Sequence, residues 1–535
     1  MIIIALLAVI LPMFFLAILN MPAIKGMTYS AIIVLFGAFI FWQMPIKVLS
    51  ASILQGIHKT LPILWILFGA LLMLAVLRTT GAIERINRGF VAVTGDLRVL
   101  TVIIVFLFGG LIEGVSGFGT PAMVTAPLLM ALGFRPIAAV TLALVGDSTS
   151  ASFGAVGTPL TVGLSNVANG PDFMQHVGRT ITQLDLTAGA IVPTLIVFLL
   201  VRFFGREKKN HQAWVEMLPW TLLIGIVYAL VAWLTVHWIG YEFASILTPL
   251  IMLIVAIVTV RFKLLLPASV YVTPWSDALE NPGSSDLKQE TKQAETMSLF
   301  KAWVPYLLVV VLLLLTRVIQ PLQHQLLHLA DLSWHNILGF KTISSDWQLL
   351  YSPGTILVVA AIIGLAIQMR SLKPLRKQAR TVVGSMVSTG LTLVVTLIMV
   401  QIFSNSGINT QGLVSMPIYI ANSLAQFTAP IWVFIAPFLG ELGAFITGSA
   451  TVSTLTFAPI QFHVAQQSHL EPQMILAMQV IGAAAGNMVC VHNIVAASAV
   501  VGLGGQEGAI LRKTAIPAVI YAILLGITGF VWSIF

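Results

Sequence analysis

Glu113, Asp147 and Glu441 are carboxyl groups set among glycines and hydroxyls inside sequence that is otherwise apolar enough for lipid. Glu113 opens EGVSGFGTP, which ends at Pro121. Asp147 lies in GDSTSASFGAVGTP, from Gly146 to Pro159. Glu441 lies in GELGAFITGSATVST, from Gly440 to Thr454, and a fourth interruption, GNMVCVHN, runs from Gly486 to Asn493. An ionisable group at the centre of a membrane helix costs about 2.5 to 3.5 kcal/mol on insertion scales, so a carboxyl there requires a task or a partner. Low dielectric favours the neutral form of an acid, which suits it to carrying a proton. The three acids are therefore expected to be proton-coupling groups. The plainer alternative is that each caps a half-helix or ties one segment to its neighbour.

The residues around the acids extend that chemistry. Glycine and proline break helices, and the backbone groups freed by a break need partners. Ser116, Gly119, Thr120, Ser148, Thr149 and Ser150 in the first two interruptions, with Thr447, Gly448, Ser449, Asn487 and His492 in the other two, are expected to line a substrate site. Half-helix N-termini point positive dipole ends inward and can hold a carboxylate without a buried arginine, which suits a small organic anion. Some hydroxyls will only glue closely packed helices. An accessible histidine titrates near about 6.5, and His492 is equally consistent with a packing role. Cys490 is the only cysteine, so no intrachain disulfide forms, and it reads as a small apolar packing residue. No His-Glu-x-x-His helix and no nucleophile–base pair is recognisable, so neither an enzyme nor a bound metal or cofactor is expected.

These sites have to be positioned by membrane helices. The 535 residues are 58% hydrophobic and 9% charged, against about 25% charged in soluble proteins. Mean hydropathy is +0.98. Apolar runs of about 20 residues, each able to cross a ~30 Å hydrocarbon layer, recur along the chain, and the alternation of a membrane barrel is absent. The expected fold is an all-α integral membrane protein with about 12 transmembrane helices, counting interrupted segments, and two re-entrant hairpins. The first span, from residue 2 to 19, lacks a basic leader region and reads as retained. The net charge of +8 resides mostly in short loops, where it sets orientation rather than marking a nucleic-acid partner. His324, His328 and His335 in the loop 321–350 read as interfacial rather than as metal ligands.

Placing the basic clusters (Arg78 to Arg98, Arg202 to Lys209, Arg261 with Lys263, Arg370 to Arg380, and Arg512 with Lys513) on the cytoplasmic side gives one consistent threading with both termini outside. The arms 99–112 and 120–133 are then too short to cross. Glu113 to Gly119 becomes the tip of a hairpin entered from the cytoplasm, and Glu441 to Ser449 the tip of one entered from outside. Ile83, Ile86, Phe90 and Val93 fall at helical spacing beside Arg85 and Arg88, as in a helix lying in the interface. The chain divides into a first half at 1–201 (hairpin 99–133, broken helix 136–163), an extra helix pair and cytoplasmic linker at 202–302, and a second half at 303–535 (hairpin 430–466, broken helix 474–501). The halves form an inverted-topology repeat, and paired broken helices in such repeats mark a transporter's binding site.

EGVSGFGTPAMVTAPLLMALGF at Glu113 to Phe134, the GDSTSASFGAVGTP stretch, AWVPYLLV at Ala302 to Val309, SNSG at Ser404 to Gly407, PFLGELGAFITGS at Pro437 to Ser449 and VVGLGGQEG at Val500 to Gly508 resemble the L-lactate permease family nearly end to end. The resemblance implies proton-coupled import of L-lactate, with glycolate or other short 2-hydroxy monocarboxylates, across a bacterial cytoplasmic (inner) membrane. Its partners would be the substrate, protons and membrane lipid. The chain departs from some relatives at Ala450 and Asn487, where those carry Asp and Lys. The alternative is a sodium-coupled transporter of organic anions or dicarboxylates, since exposed carbonyls at half-helix ends also suit Na⁺.

Overall fold

The structure is a computed structural model that describes residues 1–15, 19, 21, 23–117, 119–167, 170–205, 212–268, 297–428, 431–503 and 506–534. Residues 269–296, within the region 202–302 expected to hold the cytoplasmic linker, and the basic residues Lys208 and Lys209 lie outside the described residues. The described residues form helices joined by turns and loops, with two isolated antiparallel bridges in the loop 331–348. Five helices are long and apolar enough to cross a membrane, two bent helix pairs would each make one further span, and seven shorter apolar helices accompany them among the described residues. The chain is a multi-pass membrane protein. Ile226 and Leu230, Val383, Val387 and Leu391, and Ile523, Ile527 and Val531 are exposed at helical spacing, as faces turned to lipid are.

The longest pieces form a scaffold. Helix Ile46–Thr79 packs along Lys373–Asn405 and Pro353–Met369. Glycines set these approaches: a Cβ on Gly56 would lie 2.6 Å from the Ile398 Cα, and one on Gly354 would lie 2.7 Å from the Trp65 carbonyl oxygen. Such small-residue contacts let apolar helices pack closely where lipid supplies no hydrophobic drive.

The broken segments occupy the interior. The first hairpin begins where the Asp96 side chain caps its own helix by accepting the Arg98 amide at 2.9 Å, and the Arg98 guanidinium returns a 2.7 Å bond to the same carboxylate. The first arm then runs Leu97–Ser116 as one buried 20-residue helix, wider-wound between Val102 and Phe108. This arm is longer than the sequence suggested and is long enough by itself to cross a bilayer. Its partner, Thr120–Ala131, has only 12 residues. Left-handed φ angles of +63° at Gly117 and +70° at Gly119 turn the chain between them. Pro136–Gly146 follows and bends by 44° into Thr149–Thr161. The second hairpin pairs Trp432–Thr447 with Ala450–Gln467 across Gly448, and Pro472–Gly486 is separated from Val491–Val500 by a short turn.

Asp172–Asp185 and Gly189–Phe204 form a second bent pair, meeting at 47°. One other expectation changes in detail. The helix Ala82–Val91 forms, but Ile83, Ile86 and Phe90 are buried in protein, with the Phe90 ring 5.4 Å from Phe108, so its apolar face is not left for lipid.

Candidate functional site

Glu113 sits on the last turn of the first arm and Asp147 at the end of Pro136–Gly146, and the two carboxyls are close enough to interact. Both are almost wholly buried, at 2% and 1% exposure. Gly154 makes room for the pair, since a Cβ there would collide with Glu113 Oε1. Apart from each other, Glu113 Oε2 and both Asp147 oxygens have no hydrogen-bond partner among the described residues. Among the described residues no lysine, arginine or histidine forms an ion pair with either acid, or with Glu441. Two adjacent carboxyls without a cation are a place where a proton can be held between them.

The hydroxyls divide into committed and free groups. Ser116 bonds to the Ile112 carbonyl at 2.7 Å and to Thr120, Thr120 bonds to the Gly117 carbonyl at 2.9 Å, and Ser148 bonds to the Val145 carbonyl at 2.9 Å. These three hold the break and the hairpin tip in shape. Ser150 and Ser152 carry buried hydroxyl oxygens with no partner, and the Thr149 hydroxyl faces that of Tyr521. Beyond them the chain makes three consecutive left-handed residues, Ala155 (φ 43°), Val156 (φ 60°) and Gly157 (φ 78°). A β-branched residue in that region is a genuine outlier, costing about 1 to 2 kcal/mol, and such strain persists only where the surroundings enforce it.

In the second half, Glu441 is 7% exposed with Oε1 unpartnered, and Asn487 Oδ1, also buried, is unpartnered too. Gly440, Gly443 and Gly486 bring the elements together; a Cβ on Gly486 would lie 2.6 Å from the Glu441 carbonyl oxygen. Ser449 caps Ala450–Gln467 by accepting the Val452 amide at 3.3 Å, while Gly448 turns the tip at φ +75° and Thr447 bonds to the Gly443 carbonyl at 2.8 Å. His492 falls in the helix Val491–Val500, and its side chain lies outside the described residues.

The interruptions meet crosswise. Thr158 of the first break and Thr451 of the second hairpin share a hydrogen bond of 3.2 Å. A Cβ on Gly163 would lie 2.8 Å from Thr454 Cβ, and Gly119, at the first hairpin tip, lies directly against the Asn493 side chain of the second break. Each hairpin tip thus touches the broken helix of the other half.

Several participants lie outside the expected set of site residues. Asn493 Nδ2 is buried and unpartnered beside Gly119. Gln461 and Gln479 join at 2.9 Å, Gln479 reaches Ser453 at 3.2 Å, and Ser453 bonds to the Gly440 carbonyl at 2.8 Å, which fixes the second hairpin to its broken helix. Ser245 donates to the Ser150 carbonyl at 2.5 Å from the extra helix pair. Asp185, buried, accepts from the Tyr521 hydroxyl at 2.6 Å, and a small cavity lined by Thr149, Ser245 and Tyr228 adjoins it. An acid within polar sequence at the end of an amphipathic helix was the only hint of Asp185.

A family profile described as L-lactate permease matches residues 1–535. The L-lactate permease of Bacillus subtilis is 26% identical, over 95% of this chain and 92% of its own length. The L-lactate permease of Salmonella typhimurium is 27% identical, over 96% and 93%. The glycolate permease GlcA of Escherichia coli is 27% identical, over 98% and 94%. Among solved structures, the YdaH transporter of Alcanivorax borkumensis aligns with TM-score 0.39 at 15% identity, covering 86% of this chain and 84% of that one. MtrF of Neisseria gonorrhoeae, an antimetabolite efflux pump, aligns with TM-score 0.43 at 14% identity, covering 91% and 84%.

Proposed function

The chain belongs to the L-lactate permease family, and from that membership and the site's geometry we propose that it imports L-lactate, with glycolate and other short 2-hydroxy monocarboxylates, by proton symport across a bacterial inner membrane. The observation that carries the coupling is the Glu113–Asp147 pair, buried side by side within reach of each other and with no cation paired to it among the described residues. Such a pair takes up a proton readily in a low-dielectric site, and no fixed charge competes for it. Glu441 is a third proton-coupling acid on the opposite hairpin.

The substrate lies where the four interruptions cross. Ser150 and Ser152, with Asn487 and Asn493, offer donors and acceptors that the fold itself leaves unused, and Thr149 stands beside them against Tyr521. A monocarboxylate with a 2-hydroxyl uses both kinds. Ser116, Gly119, Thr120, Ser148, Thr447, Gly448 and Ser449 shape the walls, and His492 lies next to Asn493 in the chain. Residues 1–201 and 303–535 act as the two inverted halves, with 202–302 as an insertion, and the crosswise contacts support a site between them. Substrate and proton bind together, which removes the charge that would oppose movement through an apolar interior.

The test is counterflow of labelled lactate into proteoliposomes preloaded with lactate, glycolate or propionate. A site built to hydrogen-bond a hydroxyl rejects analogues that lack it. Lactate and glycolate should drive uptake of labelled lactate while propionate should not. Equal counterflow by propionate would remove the reading of the 2-hydroxyl.

A further inference from the structure

Lys59 stands apart from the acid-lined centre. It lies on Ile46–Thr79, and the helix rises about 28 Å between it and Arg78. With Arg78 at the cytoplasmic surface, Lys59 is at the outer one. Its neighbours agree with that position, since Gln55 Nε2 donates to the Ser344 carbonyl at 2.8 Å and the His58 ring lies 2.9 Å from the Ser345 hydroxyl, both in the loop 331–348. One turn inward, Ile63 packs with Leu397, Val452 and Leu455, an apolar cluster that closes onto the second hairpin.

The polar groups around Lys59 are unbalanced. Its ammonium donates to Asn166 Oδ1 at 2.7 Å, and Gln401 Nε2 donates to the same oxygen at 3.4 Å. That arrangement fixes which way the Asn166 amide points, because its nitrogen cannot face an ammonium. Asn166 Nδ2 is then left buried with no acceptor. No carboxylate comes within 4.0 Å of Lys59 among the described residues, and the acid that acts on it from a distance, Asp346, has a side chain 59% exposed. Two nitrogen donors therefore converge on a single oxygen and a third, Asn166 Nδ2, has no acceptor, while an ammonium alone has three N–H groups to place. What the cluster lacks is an acceptor, and a small anion supplies both the acceptor and the counter-charge.

We propose that Lys59, Asn166 and Gln401 form an outer anion-binding site that receives the substrate carboxylate before it reaches the centre. Asn166 lies just beyond the first broken span, and Gly163, three residues earlier, abuts Thr454 of the second hairpin, so the outer site leads directly to the hydroxyls at the crossing. The identity of the substrate rests on the proposed function. The anion chemistry does not, and chloride shares it.

Two variants of the full-length protein test this. N166D places a carboxylate against the ammonium, which satisfies Lys59 and so spares the fold, but blocks an arriving anion. It should raise the KM for external lactate by about tenfold or more with little change in maximal rate, as loss of electrostatic capture does. N166C in a Cys490→Ala background should react faster with an anionic methanethiosulfonate than with a cationic one, and K59Q should abolish that preference. Protection by both lactate and chloride would mean a general small-anion site, and protection by lactate alone a carboxylate site. A KM for N166D within twofold of wild type, or equal labelling by the two reagents, overturns the proposal. A wild-type protein that moves no lactate, with an N166C variant that still prefers the anionic reagent, would sink the proposed substrate and leave the outer site standing.

Discussion

Gly154→Ala probes the acid pair without touching either acid. Gly154 has φ −58°, a value alanine adopts freely, so the backbone itself imposes no penalty. The added methyl, however, would collide with Glu113 Oε1 and stand 3.1 Å from Cδ and 3.4 Å from Cγ of the same side chain. Glu113 must swing its carboxyl aside, and its neighbour across the site is Asp147. Forcing an extra methyl into a packed interior costs about 1 to 3 kcal/mol. If the pair must keep its present geometry to carry a proton, that cost appears as a roughly 5- to 150-fold loss in pH-driven uptake. Gly110→Ala is the matched control: its methyl would meet Ser150 Cβ and Pro249 Cγ at 3.4 Å, contacts that small shifts absorb. Both variants should be measured for initial lactate uptake in vesicles under an inward proton gradient, normalised to inserted protein. Gly154→Ala should fall and Gly110→Ala should stay within a fewfold of wild type. Wild-type uptake by Gly154→Ala would show that the position of Glu113 is immaterial and would refute the coupling role of the pair.

Glu113→Gln and Asp147→Asn should each abolish accumulation against a gradient, and retained lactate exchange would show that only proton release was lost; full accumulation by both would reduce the acids to structural caps. Ser150→Ala and Ser152→Ala, whose hydroxyls have no partner in the fold, should weaken apparent lactate affinity more than Ser148→Ala, whose hydroxyl is spent on Val145; the reverse order in competition assays would misplace the substrate. Ser449→Ala removes a helix cap and should cost about 1 kcal/mol of stability in a thermal melt, and an unchanged melting temperature would mean that the cap is idle. In intact cells an impermeant thiol reagent should leave a cysteine at 370–380 unmodified and label one at 335, with Cys490 replaced by alanine; labelling at 370–380 would overturn the orientation.

The sequence disclosed the places where helices break and the acids beside them, because glycine, proline and a carboxyl inside apolar sequence each carry a local signal. Partner choice was less legible. Lipid and protein interior are equally apolar, so nothing in Ile83, Ile86 and Phe90 distinguished a face against protein from a face in the interface. The length of Leu97–Ser116 was hidden for a related reason: an acid near its end looked like the end of the span, whereas the turn waits until Gly117. Contacts far apart in sequence, such as Tyr521 with Asp185, Gln461 with Gln479, and Asn493 against Gly119, depend on how the elements are packed and leave no periodic trace. The division of hydroxyls into committed and free was likewise invisible, since Ser148 and Ser150 are neighbours of the same type with opposite fates.

The most direct measurement is lactate-dependent proton movement in proteoliposomes that contain the purified protein and a trapped pH indicator, with no sodium present. Adding L-lactate outside should acidify the lumen at a rate set by the protein, Glu113→Gln should eliminate the signal, and adding a sodium gradient should change neither. Lactate uptake that proceeds without lumenal acidification, or that requires sodium, would contradict proton symport through the Glu113–Asp147 pair.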